Sequence, residues 1–139
     1  MLGRIEQLLC ENSDFAFETT LASKIHKNTI LKAQGAGYNV TLLFFWLQTV
    51  ELAEKRVQKR VSEGGHNIDS EVIARRYLSG IQNLFDIYLP IANEVLIFDN
   101  SEGKHEFIAK KINQSNISIL NNVKFNLLKQ YYDSQRKRK

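Results

Sequence analysis

One cysteine, one proline, one methionine and one tryptophan occur in 139 residues, and what is scarce removes several function classes. Cys10 has no second cysteine with which to form an intrachain disulfide. No charged-then-apolar leader opens the chain, so a cytoplasmic setting is expected. The longest apolar run, Val40 to Leu47 interrupted by Thr41, is less than half of the ~20 residues a membrane helix needs. No membrane span is expected. No second His or Cys stands at ligand spacing to His66, so a metal site of the zinc type is not expected. Charge of one sign is scarce too. The net charge is +4, but Arg136, Lys137, Arg138 and Lys139 carry four positive charges, leaving as many acidic as basic residues in the body. Such a run reads as a solvated tail, and a nucleic-acid partner is not expected.

What remains is an ordinary globular composition, 43% hydrophobic and 24% charged, of a length that suits one core. Leu2, Ile5, Leu8 and Leu9 recur at helical spacing with no N-cap residue before them. Phe15 to Glu18 read as a short buried strand, after which Thr19 or Thr20 caps a helix running to Gly35. Tyr38 to Leu47 reads as a strand covered on both faces, as in parallel sheets. Thr49 opens a helix to about Glu63 with Val50, Ala53, Val57 and Val61 on its apolar stripe, broken at Gly64-Gly65. A second helix starts near Asp69 and stops at Pro90. Glu94 to Phe98 form a third strand, Asp99-Asn100-Ser101 a turn, Glu106 to Ala109 a short edge strand, and Ile117 to Tyr131 a closing helix. The alternation predicts an α/β fold.

Ligands of open α/β sheets bind beyond the carboxyl ends of the strands, which draws attention to Glu18, Thr19 and Thr20. Glu18 there orients or deprotonates a hydroxyl, or else these residues only cap the next helix. Arg56 and Arg60 stand four apart on one helical face, where like charges repel, and Arg56 has no acid at its neighbouring helical positions. Arg75 has Glu71, whereas Arg76 has none. Guanidinium groups converging from two helices suit a phosphate clamp; the alternative is solvation, or pairing with acids distant in sequence. Gly64-Gly65-His66 between the helices suits close approach to an anion or a flexing lid, with His66 as a phosphate contact or a bystander. The phosphate-binding pattern G-x-x-x-x-G-K-[ST] is absent: the only Gly-Lys pair, Gly103-Lys104, has Phe98 in place of the first glycine and His105 after the lysine.

Phe15-Ala-Phe-Glu-Thr-Thr-Leu21, Gly37-Tyr38 entering an apolar strand, Glu51-Leu-Ala, Arg56-Val57, Arg60-Val61, Gly64-Gly65-His66-Asn67-Ile68, Arg75-Arg76-Tyr77 and Asp99-Asn100-Ser101 come in an order that resembles the zeta-toxin-like P-loop kinases of bacteria. The resemblance covers roughly residues 1 to 109. It implies a truncated P-loop kinase-like three-layer fold with a short, mostly parallel sheet flanked by helices. Residues 1–112 would be the C-terminal part of the kinase domain, and residues 113–139 a closing helix and basic tail. The implied activity is transfer of the ATP γ-phosphate, with magnesium, to a hydroxyl, classically on a UDP-linked amino sugar. The implied partners are a nucleotide and a small-molecule acceptor, with an antitoxin or a second copy of the chain beside them. Glu18 and Thr20 would line the substrate pocket, and Arg60 with one of Arg75 or Arg76 would reach the ATP phosphates. With Arg56 and His66 these arginines form the candidate cofactor-binding set.

The family's P-loop strand and its catalytic aspartate have no counterpart here, so turnover by this chain alone is not expected. Two readings follow: a longer gene product in which Met1 is internal, or a non-catalytic nucleotide- or protein-binding module. The strand that normally lies between those beginning near Phe15 and Tyr38 is missing as well, so these two pair directly or another chain fills the gap.

Overall fold

A computed structural model describes residues 2–137, with side chains through Gln135, so Met1 and the last two residues of the basic tail singled out above lie outside the described residues. The chain runs α1 (Leu2–Cys10), α2 (His26–Gly35), β1 (Thr41–Trp46), α3 (Val50–Ser62) and α4 (Ser70–Asn83), then a π-helical turn (Leu84–Tyr88) and α5 (Leu89–Ile91). β2 (Glu94–Asp99), β3 (Glu106–Ile112), β4 (Ser118–Ile119) and α6 (Asn122–Lys137) complete it. The fold is α/β: an open mixed sheet of order β1-β2-β3-β4, flanked by helices. β1 and β2 are parallel, while β3 and β4 add antiparallel. No described helix is long and apolar enough to cross a membrane.

Val95, Ile97 and Ala109 from the sheet meet Ile30 of α2, Ile81 of α4, Leu84 and Tyr88 of the π turn, and Phe125 and Leu128 of α6 in one buried cluster. Each such aliphatic side chain, fully buried, contributes about 1.5–3 kcal/mol. A smaller cluster of Ile5, Leu9 and Ala33 lies under Phe15, Phe17 and Tyr38, and Val40 packs against both.

Local codes explain the helix ends. Thr49 Oγ1 accepts from Leu52 N–H at 3.2 Å and starts α3 as expected. At its far end Gly64 takes a left-handed φ of 101°, with Gly64 N–H on Val61 C=O (3.1 Å) and Gly65 N–H on Arg60 C=O (2.6 Å). That is a Schellman stop. A Cβ on Gly65 would lie 2.9 Å from the Arg60 carbonyl oxygen. Both glycines are therefore needed to end the helix.

Several expectations are corrected. Phe15 to Glu18 form no strand, because no strand among the described residues takes up their backbone groups, and the following helix begins at His26 rather than at Thr19 or Thr20. Thr19 and Thr20 instead accept from Leu21 N–H and Ala22 N–H within their own turns. β1 is not covered on both faces: Leu43 and Phe45 alternate outward and are 50% and 47% exposed. Pro90 does not end the helix. The π turn, in which Leu89 N–H reaches back to Leu84 C=O, carries the helix past the proline to Ile91. β3 is longer than expected and lies inside the sheet, between β2 and β4. Ile117 and Leu120 precede α6, which starts at Asn122 where Asn121 Oδ1 accepts from Lys124 N–H at 3.1 Å.

The irregular stretch before α2 is held from the other side. Asn83, 3% exposed, donates its amide to Leu21 C=O (2.7 Å) and Ala22 C=O (3.1 Å), and Tyr88 Oη donates to Ser23 C=O (2.6 Å). Replacing Asn83 by alanine strands a buried carbonyl, and we expect a loss of about 2 kcal/mol in urea unfolding. An unchanged midpoint would mean that this stretch is not coupled to the global transition.

Candidate functional site

The carboxyl ends of the two parallel strands come together, the position at which open α/β sheets place their ligands. β1 delivers Trp46, Leu47, Gln48 and Thr49; β2 delivers Asp99, Asn100 and Ser101. Asp99 is the centre of the polar network. Its side chain is 2% exposed and accepts from Gln48 Nε2 (2.8 Å), from Ser101 N–H (3.0 Å) and Ser101 Oγ, and from Lys124 Nζ of α6 (2.8 Å). Ser101 Oγ in turn accepts from Gln48 N–H at 2.9 Å. Burial alone pushes the Asp99 carboxyl up, but the hydrogen bonds from Lys124, Ser101 and Gln48 outweigh it and hold the group down at about 2. The Lys124 ammonium is raised, first by its bond to Asp99, and also reaches Glu106 Oε1 at 3.2 Å.

α3 and α4 pack against each other beyond these strand ends. Arg56 Nη2 donates to Asn100 C=O at 2.8 Å and so ties α3 to the loop after β2. Tyr77 of α4 donates its hydroxyl to Leu47 C=O (2.5 Å) and accepts from Trp46 Nε1 (3.1 Å), which fixes α4 at the end of β1. Burial pushes the Tyr77 hydroxyl well above the usual phenol range, so it remains a donor. An open groove of about 330 Å³ lies beside this end, lined by Gln48, Thr49, Leu127, Gln130, Tyr131 and Ser134.

The residues singled out from the sequence divide between roles. Arg56 is half-buried and engaged with Asn100, so the distant partner is a backbone carbonyl rather than an acid. Arg60, Arg75 and Arg76 are exposed, and their side chains have no hydrogen bond or ion pair among the described residues. Tyr77 brings Arg75 and Arg76, its immediate predecessors, to the level of the β1 end. His66 is exposed in the loop after the α3 stop. Glu18 and Thr20 are exposed, in the stretch held by Asn83 and Tyr88, with the Thr20 carbonyl oxygen 2.7 Å from where a Cβ on Gly80 would stand.

Sequence reasoning missed Gln48 and Lys124 as site residues and treated Asp99 only as a turn residue. An aspartate at the end of an apolar strand, followed by Asn and Ser, was the available signal for Asp99. Lys124 had none, since its bond to Asp99 spans 25 positions of sequence. No protein-family model matches this sequence, and no match was found among curated proteins or solved structures.

Proposed function

We propose that this chain is the lid and acceptor side of a zeta-toxin-like phosphotransferase site, binding nucleotide phosphates through arginines of the α3–α4 pair without turning the nucleotide over by itself. The observation that carries the reading is the placement of Arg60, Arg75 and Arg76, exposed and without partners among the described residues, on two helices anchored at the carboxyl ends of parallel strands. Guanidinium groups suit phosphate oxygens because their N–H pairs match two oxygens at once. The carboxylate at the strand ends does not suit magnesium, since both oxygens of Asp99 already accept hydrogen bonds. Turnover is not expected because the chain carries no P-loop pattern to hold the β- and γ-phosphates. Glu18 and Thr20 are the acceptor-side candidates, and a hydroxyl, classically of a UDP-linked amino sugar, is the acceptor that the resemblance suggests.

Calorimetric titration of the full chain with magnesium ATP, beside Arg60→Ala, tests this. We expect measurable binding that Arg60→Ala weakens about tenfold, equivalent to ~1.4 kcal/mol. Binding that is indifferent to Arg60→Ala and to Arg76→Ala, or no binding at millimolar nucleotide, would overturn the reading.

A further inference from the structure

Alternate residues of a strand direct their N–H and C=O to opposite edges, which makes the free edge of β1 legible bond by bond. Val40 C=O accepts from Glu94 N–H (3.2 Å), Trp46 C=O accepts from Asn100 N–H (2.8 Å), and Val40 N–H donates to Asn93 Oδ1 (2.7 Å). The even-numbered residues thus face β2. Thr41, Leu43 and Phe45 direct their backbone groups to the other edge, where no backbone group among the described residues pairs with them. The next carbonyl in that row, Leu47, is taken by Tyr77. The edge is a row of three N–H and three C=O groups.

Edge strands are normally blunted by charge, proline or a bulge. None of these is present here. No charged residue occurs from Tyr38 to Val50, and the β1–β2 register is unbroken. Leu43 and Phe45 on this strand are about half exposed. In the stretch 14–20, Phe15 meets Tyr38 edge-on before β1 starts, and the Thr20 carbonyl stands against Gly80, three residues after the Tyr77 that holds the end of β1. Yet this stretch and β1 exchange no backbone hydrogen bond, and residues 14–20 have no backbone partner of their own among the described residues.

We propose that the free edge of β1 is a strand-acceptor site, which takes an extended, uncharged segment of a partner polypeptide with apolar side chains at alternate positions. A five-residue antiparallel strand centred opposite Leu43 uses all three N–H and all three C=O groups. Centred opposite Phe44 it would pair only with Leu43 and Phe45, leaving the Thr41 groups unused. Main-chain bonds supply affinity in such additions, and side chains lying beside Leu43 and Phe45 supply selectivity.

The test is residue-resolved amide hydrogen exchange on the full chain, alone and with a peptide copying residues 40–47 between terminal lysines, together with sedimentation. Alone, amides 41, 43 and 45 are expected to exchange on the order of 100-fold faster than 42, 44 and 46. Peptide is expected to slow those three at least about tenfold. Leu43→Pro removes only an outward N–H, keeps the ladder to β2, and is expected to abolish the slowing. Leu43→Lys keeps the backbone, weakens the addition, and carries the test if the proline variant does not fold. A dimer of the chain alone with amides 41, 43 and 45 protected, made monomeric by either variant, would identify the partner as a second copy and support the proposal. It is overturned if these amides are already slow in a monomer, if millimolar peptide leaves them fast, if the variants respond like the parent chain, or if a dimer forms that leaves them fast.

Discussion

Asp99→Ala is expected to lower the unfolding free energy by about 2–3 kcal/mol, because it removes the shared acceptor of Ser101, the Gln48 amide and Lys124, while Lys124 keeps Glu106. The loss arises from broken pairing rather than from the ion pair as such. A double variant, Asp99→Leu with Lys124→Met, is therefore expected to recover much of it. The pH dependence has a definite sign. The folded-state value of about 2 lies below the ordinary carboxylate value, so the unfolded chain binds the extra proton. The stabilisation, about 2 kcal/mol, is complete above roughly pH 5 and is lost as the pH falls through about 4 toward 2. Urea unfolding at pH 7, 4 and 2.5 checks this: the parent chain should converge on Asp99→Ala as the pH falls. A constant gap would mean that the lost bonds at this position do not depend on the charge.

This network also marks where the sequence was readable. α3 and the start of α4 were legible because their signals are local: a threonine hydroxyl three residues before the amide it accepts from, an apolar stripe, and glycines at the stop. β2 was legible as a short apolar run. The Phe15 to Glu18 segment was not, since the pattern of a strand does not contain its partner and none of the described residues supplies one. Nor was the passage of the helix through Pro90, where a π turn shifts the bonding from four residues to five around a residue that cannot donate. The start of α6 was written in Asn121, but the apolar spacing of Ile117 and Leu120 masked it.

The candidate site divides along the same line. Which arginines lack a local acid could be counted from helical spacing; that Arg56 spends its charge on the Asn100 carbonyl, 44 positions away, could not. Arg60, Arg75 and Arg76 are exposed and have no side-chain partner among the described residues. The strand-end network that positions the helices depends on contacts made only in the folded chain. Its most deeply seated member is Trp46.

Trp46→Ala is expected to destabilise the chain by about 3–5 kcal/mol, the range for emptying a large aromatic site in a core that closes only partly around it. The side chain is 1% exposed, and its Nε1 donates to Tyr77 Oη, the group that binds Leu47 C=O. The variant thus removes core volume and one of the bonds locating α4 over the strand ends. Trp46→Phe keeps most of the volume and loses the donor, so it should cost only about 1–2 kcal/mol. The pair separates packing from positioning. If α4 is held through the Trp46–Tyr77–Leu47 chain of bonds, Trp46→Phe and Tyr77→Phe should weaken magnesium ATP binding by similar factors despite different effects on stability. If they track stability alone, packing rather than this bond chain sets the position of Arg75 and Arg76.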